Sequence, residues 1–247
     1  MRGKRSALQK EGSIVKGLLY KEFFLLRSGL IFVAVFQTIL AGVCISFPLI
    51  GFDTRMIILL TSVCYYLSFL ILALINQELF AHDESRLWSL FVSSTPQAAK
   101  GQVACKYYMI LIENLALLFC CYLTDVIVLC VADDVTVSAI VVGVFIFCLR
   151  ILIYALEIPF IIRFGSNVGV IVKSVLLAFV VLILLCYVLF GDISFLFGDD
   201  PIAAVYEFVT SGKVIWIAAL IPYAAAGAYY LSYCISVKLY KEADYSE

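Results

Sequence analysis

Along this chain, long apolar stretches alternate with short polar connectors, and six of the stretches are long enough to cross a bilayer as helices. They occupy residues 30–50, 56–75, 107–131, 137–162, 168–190 and 214–237. A helix rises about 1.5 Å per residue, so the roughly 30 Å hydrocarbon core takes about 20 residues, which each stretch supplies. No alternating pattern suggests strands. Helices also satisfy their backbone hydrogen bonds internally, where lipid offers none. The pattern predicts an all-α integral membrane protein of six transmembrane helices. No connector has room for a soluble domain of ordinary size.

Charge adds orientation. Fourteen of the 17 Lys and Arg residues fall in the N-terminal segment, the second and fourth connectors, the start of the fifth stretch (Lys173) and the tail, against two, Arg55 and Lys213, in the other connectors. The positive-inside rule then predicts that both termini are cytosolic. This gives an interfacial, amphipathic N-terminal helix within 1–28, a transmembrane domain over 29–237 and a cytosolic tail over 238–247. Residues 12–27 carry apolar side chains at helical spacing beside Lys16, Lys21 and Arg27, which suits a helix in the headgroup layer. An extended start of the first span is the alternative. The nine cysteines lie in spans or at the cytosolic edge of one, with no metal-ligand spacing, and read as small buried apolar residues rather than a disulfide framework.

The cytosolic connectors carry the distinctive patterns. In the first, Asp83 can cap a helix bearing Glu84, Ser85, Arg86, Leu87, Trp88 and Phe91, which Pro96 ends. Such a projecting helix suits docking; an amphipathic hairpin on the lipid surface is the plainer alternative. In the second, Pro159 falls near the end of the fourth span, and Arg163, Phe164, Gly165, Ser166 and Asn167 make a tight turn and a new helix start.

Four segments in register, LYKEFFLLR before the first span, HDESRLW with Pro96 and Lys106 after the second, EIPFIIRFG after the fourth and SYCISVKLY at the end of the sixth, resemble the permease subunits of ABC-2-type exporters. The nearest likeness is to the small six-span bacterial permeases that work with a separate ATPase. The resemblance implies a multi-pass protein of the bacterial plasma membrane, whose cytosolic loops dock on two ABC ATPase subunits. Coupling segments would be 82–100, with Asp83 to Trp88 and Phe91, and 163–168, with Arg163 to Asn167. A second permease copy or a paralogue would complete the membrane domain. The cargo would be an amphipathic peptide or drug-like molecule, and the ATP and Mg would be held by the ATPase rather than by this chain. Nothing points to nucleic acid.

Catalytic chemistry is sparse. No P-loop is present: Gly212-Lys213 is followed by Val214, and Glu207 stands where the first glycine belongs. The single histidine, His82, lies at a span edge, so no catalytic residue or metal site is assigned. Glu113, Asp125, Arg150 and Glu157 are instead the charges within the third and fourth spans. Charges at such depth face a partner or a wet cavity. A hairpin about Asp133 and Asp134 sets Arg150 between Asp125 and Glu113 in depth, and Glu157 two turns along. A structural ion pair and a place on the substrate path are both open. Between the last two spans, Asp200 and Pro201 start a helix over 200–211, either closing the outer mouth or lying on the surface. Small residues from Ala224 to Ala228 in the sixth span permit close helix contact within the bundle. Two other classes stay open: an ion-driven secondary carrier, and a non-transporting membrane immunity or sensor subunit.

Overall fold

The computed structural model describes residues 17–76, 79, 98–131, 139–165, 168–169, 171–175, 178–179, 182 and 212–244. Five long helices are present among them: α1 (Arg27–Ile50), α2 (Thr54–Ile75), α3 (Ala98–Val131), α4 (Ile140–Phe164) and α5 (Gly212–Asp244), with no strand among the described residues. Each contains a segment long and apolar enough to span a membrane. These correspond to five of the six expected spans. The fifth expected span, 168–190, is described only in part, and its described positions are helical. Residues 200–211, and all of 82–100 except 98–100, lie outside the described residues, as does the whole stretch from Asp83 to Phe91.

The first hairpin closes through a Schellman turn. At the end of α1, Gly51 takes φ 87° and ψ 31°, a left-handed conformation that suits glycine. The Phe52 N–H then reaches the Phe47 carbonyl at 3.3 Å and the Gly51 N–H reaches Pro48 at 3.1 Å. The rings of Phe47 and Phe52 meet edge to face at 6.0 Å, the apolar contact that accompanies this turn. Two residues later α2 begins, so α1 and α2 run antiparallel. At the other end, residues 17–25 are helical and their bonding continues into α1, Leu26 N–H to Glu22 at 3.0 Å and Leu30 N–H to Leu26 at 2.8 Å. Leu18 of this segment lies 3.6 Å from where a Gly101 Cβ would stand on α3.

Two helices outrun their apolar segments. α3 starts at Ala98, well ahead of residue 107, because Lys100, Gln102 and Lys106 are good helix formers that hydropathy marks as connector. With 34 residues it is about 51 Å long, more than a bilayer core requires. α5 has 33 residues and carries Pro222 inside it.

The bundle buries a set of polar side chains among its apolar clusters and turns large apolar side chains outward. α1 turns Ile31, Phe32, Val35 and Ile39 outward and buries Gln37. Buried elsewhere are Thr61, Ser68, Asn114 and Thr124, while Leu70, Phe119, Phe145 and Leu231 are exposed, as the face toward lipid requires. α5 packs mainly on α4 and also touches α3; α2 and α3 each meet α4, and α1 packs against α2 and α3. Cys44, Cys64, Cys105, Cys121 and Cys148 are buried. Of the small residues in α5, Ala225 is buried with Cys148 and Ile151 of α4, whereas Ala224, Ala226 and Gly227 are exposed.

α4 ends at Gly165, whose φ of 90° favours glycine and whose N–H bonds to Ile161 at 2.8 Å. The chain then doubles back so closely that Ile161 fills the space of a Gly169 side chain. Gly169→Leu should therefore destabilise the protein by about 1–3 kcal/mol through overpacking, although Leu is the better helix former. Adding Ile161→Ala should recover part of the loss. Thermal unfolding of the single and double variants in detergent tests this; a Gly169→Leu protein as stable as the parent contradicts the close approach.

Candidate functional site

A guanidinium buried inside a transmembrane bundle needs acceptors that the surrounding helices must supply. Arg150, on α4, is 8% exposed. One of its terminal nitrogens donates to the Phe69 carbonyl of α2 and the other to the Tyr154 hydroxyl, one turn along α4, at 2.6 Å. Its carbon lies 5.7 Å from the Phe69 ring centre and 5.3 Å from that of Tyr154, within cation–π range. Asn76, at the end of α2, donates its amide to the same Tyr154 hydroxyl at 3.2 Å. Arg150 thus staples α2 to α4.

The expected ion pair is not what the structure shows. Among the described residues the one ion pair is Lys21 with Glu22, at 3.5 Å, and Arg150 has no carboxylate within that reach. Asp125 has another use: its carboxylate accepts the Ala139 N–H at 3.0 Å, at the residue that opens α4. A negative group there meets both a free N–H and the positive end of the helix dipole. Glu157 is buried on α4 with Oε2 unpartnered. Glu113, on α3, is 6% exposed with neither carboxylate oxygen hydrogen-bonded. The reason for the difference is local. A tyrosine at i+4 and a backbone carbonyl lie nearer the guanidinium than any acid.

A second polar joint ties α3 to α5. The Tyr107 hydroxyl meets Ser232 at 2.6 Å and Ser236 at 2.9 Å, and Tyr229 donates to the Tyr107 carbonyl at 2.8 Å. Towards the same end, Tyr240 donates to Gln102 at 2.7 Å, and the buried Lys106 donates to the Leu79 carbonyl at 2.7 Å. Beside this joint, α3, α4 and α5 border an open apolar pocket of about 370 Å³ lined by Tyr107, Tyr229, Tyr233, Phe147 and Ile151. Among the described residues no three His, Cys, Asp or Glu side chains converge as a metal site.

Of the expected docking residues, Arg163, Phe164 and Gly165 are described, as the exposed last turn of α4 and its terminating glycine, with Phe160 and Phe164 stacked at 6.3 Å. Ser166 and Asn167 fall outside the described residues. Tyr154 and Asn76 escaped the sequence reading, and Tyr107, Ser232 and Ser236 entered it only within the segments that carry the family resemblance, without a role. The i to i+4 spacing of Arg150 and Tyr154, and of the two serines, was the available signal.

Arg150→Leu should lower thermal stability, since the Phe69 carbonyl and the Tyr154 hydroxyl lose their donor. Arg150→Lys should restore little, because one ammonium cannot reproduce a planar fork bonded to two acceptors while stacked on rings. Asp125→Asn or Glu157→Gln added to Arg150→Leu should rescue nothing, as neither acid is its partner. Melting temperatures of the purified variants decide this. Full stability of Arg150→Lys, or rescue by either acid change, would refute the staple.

The family model described as ABC-2 family transporter protein matches residues 17–241. No curated protein and no solved structure matches the chain. The chain belongs to the ABC-2 transporter family: it is a multi-pass membrane protein of the ABC-2 permease type.

Proposed function

We propose that this ABC-2 family member is the membrane-embedded permease subunit of an ATP-driven exporter, and that a separate ABC ATPase supplies the energy. The observation that carries the reading is the family match from residue 17 to residue 241, which takes in every described span. Membership implies an ABC ATPase partner. The finer reading adds a sixth span over 168–190, both termini in the cytosol, two ATPase subunits holding ATP and Mg, and a second permease copy or paralogue. The cargo is an amphipathic peptide or drug-like molecule, and the membrane is the bacterial plasma membrane.

In this arrangement the ATPases dock on Asp83, Glu84, Ser85, Arg86, Leu87, Trp88 and Phe91 in one segment and on Arg163 to Asn167 in the other. The end of α4 supports the second assignment, because Arg163 and Phe164 are exposed there, directly before a tight glycine turn. ATPase closure would press on both segments and shift the bundle between two states. A rotation about α4 is the natural response, since α2, α3 and α5 all pack on it.

Docking gives one test. Trp88→Ala and Glu84→Lys should each weaken association with the ATPase by at least several-fold while leaving the permease inserted and folded. Co-purification from membranes, with transport-coupled ATP hydrolysis alongside, reads this out. Undiminished ATPase recovery and normal coupled hydrolysis in both variants would sink the docking assignment.

Topology gives another. With basic residues concentrated on one side, a cysteine placed at Ser194 in an otherwise cysteine-free chain should react with an impermeant thiol reagent added to intact cells, and one placed at Ser93 should not. The opposite labelling would invert the bundle and remove the docking surfaces from the ATP side.

A further inference from the structure

The open pocket beside the tyrosine joint has no part in the polar contacts. It exists because α5 presents Ala225 and Ala226, and α3 presents Ala104, where larger side chains would close the gap to α4. Its floor is firm, since Cys148 and Ile151 of α4 are buried with Ala225 in one apolar cluster. One wall is a nest of rings, with Tyr107 against Tyr229 at 4.9 Å and against Tyr233 at 5.5 Å. The mouth opens on the outside of the bundle: Tyr108 and Tyr230, which line it, are 54% and 67% exposed.

These walls ask for an apolar occupant. The hydroxyls of Tyr107 and Tyr229 are engaged within the protein, the first with Ser232 and Ser236 and the second on the Tyr107 carbonyl, so both residues offer ring faces. Water fills such a space poorly, because it needs polar partners. Every residue that lines the pocket falls within a helix segment long and apolar enough to span a membrane, so the phase outside the mouth is the acyl region of the bilayer. At about 370 Å³ the pocket has the size of a small-ligand site. Left empty, it would forfeit the dispersion contacts that its walls can make.

The pocket also has a direction. It follows α5 from Tyr233 to Pro222, about 16 Å by helical rise. Beyond Tyr233 lie Ser236 and the Tyr240 bond to Gln102, and exposed Lys238 and Arg163 stand near the ends of α5 and α4 on that side. Tyrosines and basic residues together mark the headgroup level. Towards Pro222 the lining is hydrocarbon and ring, with Phe147 and Leu111.

We propose that this pocket binds one acyl chain of a membrane phospholipid, with the headgroup at the Tyr233 end and the tail running toward Pro222 and Phe147. The phosphate of such a lipid complements the Lys238 and Arg163 cations at that end. Because the chain packs on α3, α4 and α5 at once, the bound lipid supports the hydroxyl joint between α3 and α5 from its apolar side. The site rests on the spans and not on the permease reading, so its failure leaves that reading untouched.

Phosphatidylglycerol with a diazirine in one acyl chain, incorporated into lipid nanodiscs with the full-length protein, tests the site. After illumination, mass spectrometry should find the stretch from Pro222 to Tyr233 labelled several-fold more than the outward face of α1 at Phe32 and Val35. As the probe fraction is raised, the pocket label should level off while the α1 label keeps rising in proportion. Ala226→Trp, which puts a ring into the pocket from its exposed side, should cut the pocket label several-fold and leave the α1 label unchanged. If Ala226→Trp does not fold, the saturation of the parent's label still decides. A pocket label no stronger than that of α1, or rising in proportion with it, overturns the proposal, as does one that folded Ala226→Trp leaves intact. So does an unlabelled pocket in which Ala226→Cys, in an otherwise cysteine-free chain, joins two copies by a disulfide, which would assign this face to a second copy.

Discussion

The arrangement of this bundle turns on how a guanidinium is accommodated away from water. An arginine at the middle of a helix costs about 2.5 kcal/mol or more on insertion scales unless partners receive it. Arg150 finds them without a counter-charge, in a backbone carbonyl, a phenol and two ring faces. The carbonyl belongs to α2, so the side chain that must be satisfied also fixes where α2 runs beside α4. Tyr154 then depends on Arg150, and Asn76 on Tyr154. A lysine could not hold this place, and an aliphatic residue would leave the phenol and amide seeking other partners.

The remaining contacts between helices are of a weaker kind. Hydrogen bonds across transmembrane helices contribute on average about 0.6 kcal/mol. The hydroxyl joint of Tyr107 with Ser232 and Ser236, and the Tyr65 hydroxyl on the Cys121 carbonyl at 2.9 Å, belong to that class. Neutral hydroxyls exchange partners at little cost, whereas a buried cation does not. The Arg150 joint between α2 and α4 is accordingly harder to rearrange than the hydroxyl joint between α3 and α5.

The sequence disclosed the membrane class, five of the observed spans and the existence of buried charge, because hydropathy and charge scarcity are one-dimensional signals that survive without coordinates. The apolar span it marked from 107 leaves out the first turns of α3, because helix propensity and hydropathy end at different residues. It also expected Arg150 to meet an acid. Charge reasoning along a hairpin compares depths, and at equal depth a carboxylate is the obvious partner. What decides the matter is angular position around the helix, where Tyr154 at i+4 shares the face of Arg150 and Asp125 turns instead to the start of α4. The serine and tyrosine joint was invisible for a related reason: fifteen tyrosines are scattered through the chain, and nothing in the spacing singles out Tyr107.

α4 connects the exposed turn to the buried cation. Arg150 and Arg163 are 13 residues apart on one helix, about 20 Å by helical rise. Pro159 stands between them and removes one backbone hydrogen bond of the ladder, which makes that turn the most deformable of the helix. On the proposed reading, force delivered at Arg163 and Phe164 would pass through this weakened turn before it reaches Arg150. Bending at Pro159 spares the staple, while rotation of the whole helix strains it, because the Phe69 carbonyl stays with α2. The close seat of Ile161 in the Gly169 backbone works against bending alone by tying the far side of Pro159 to the next segment. On that reading, motion entering at the turn would be passed along α4 as rotation, and the contact it would work against is the Arg150 bond to α2.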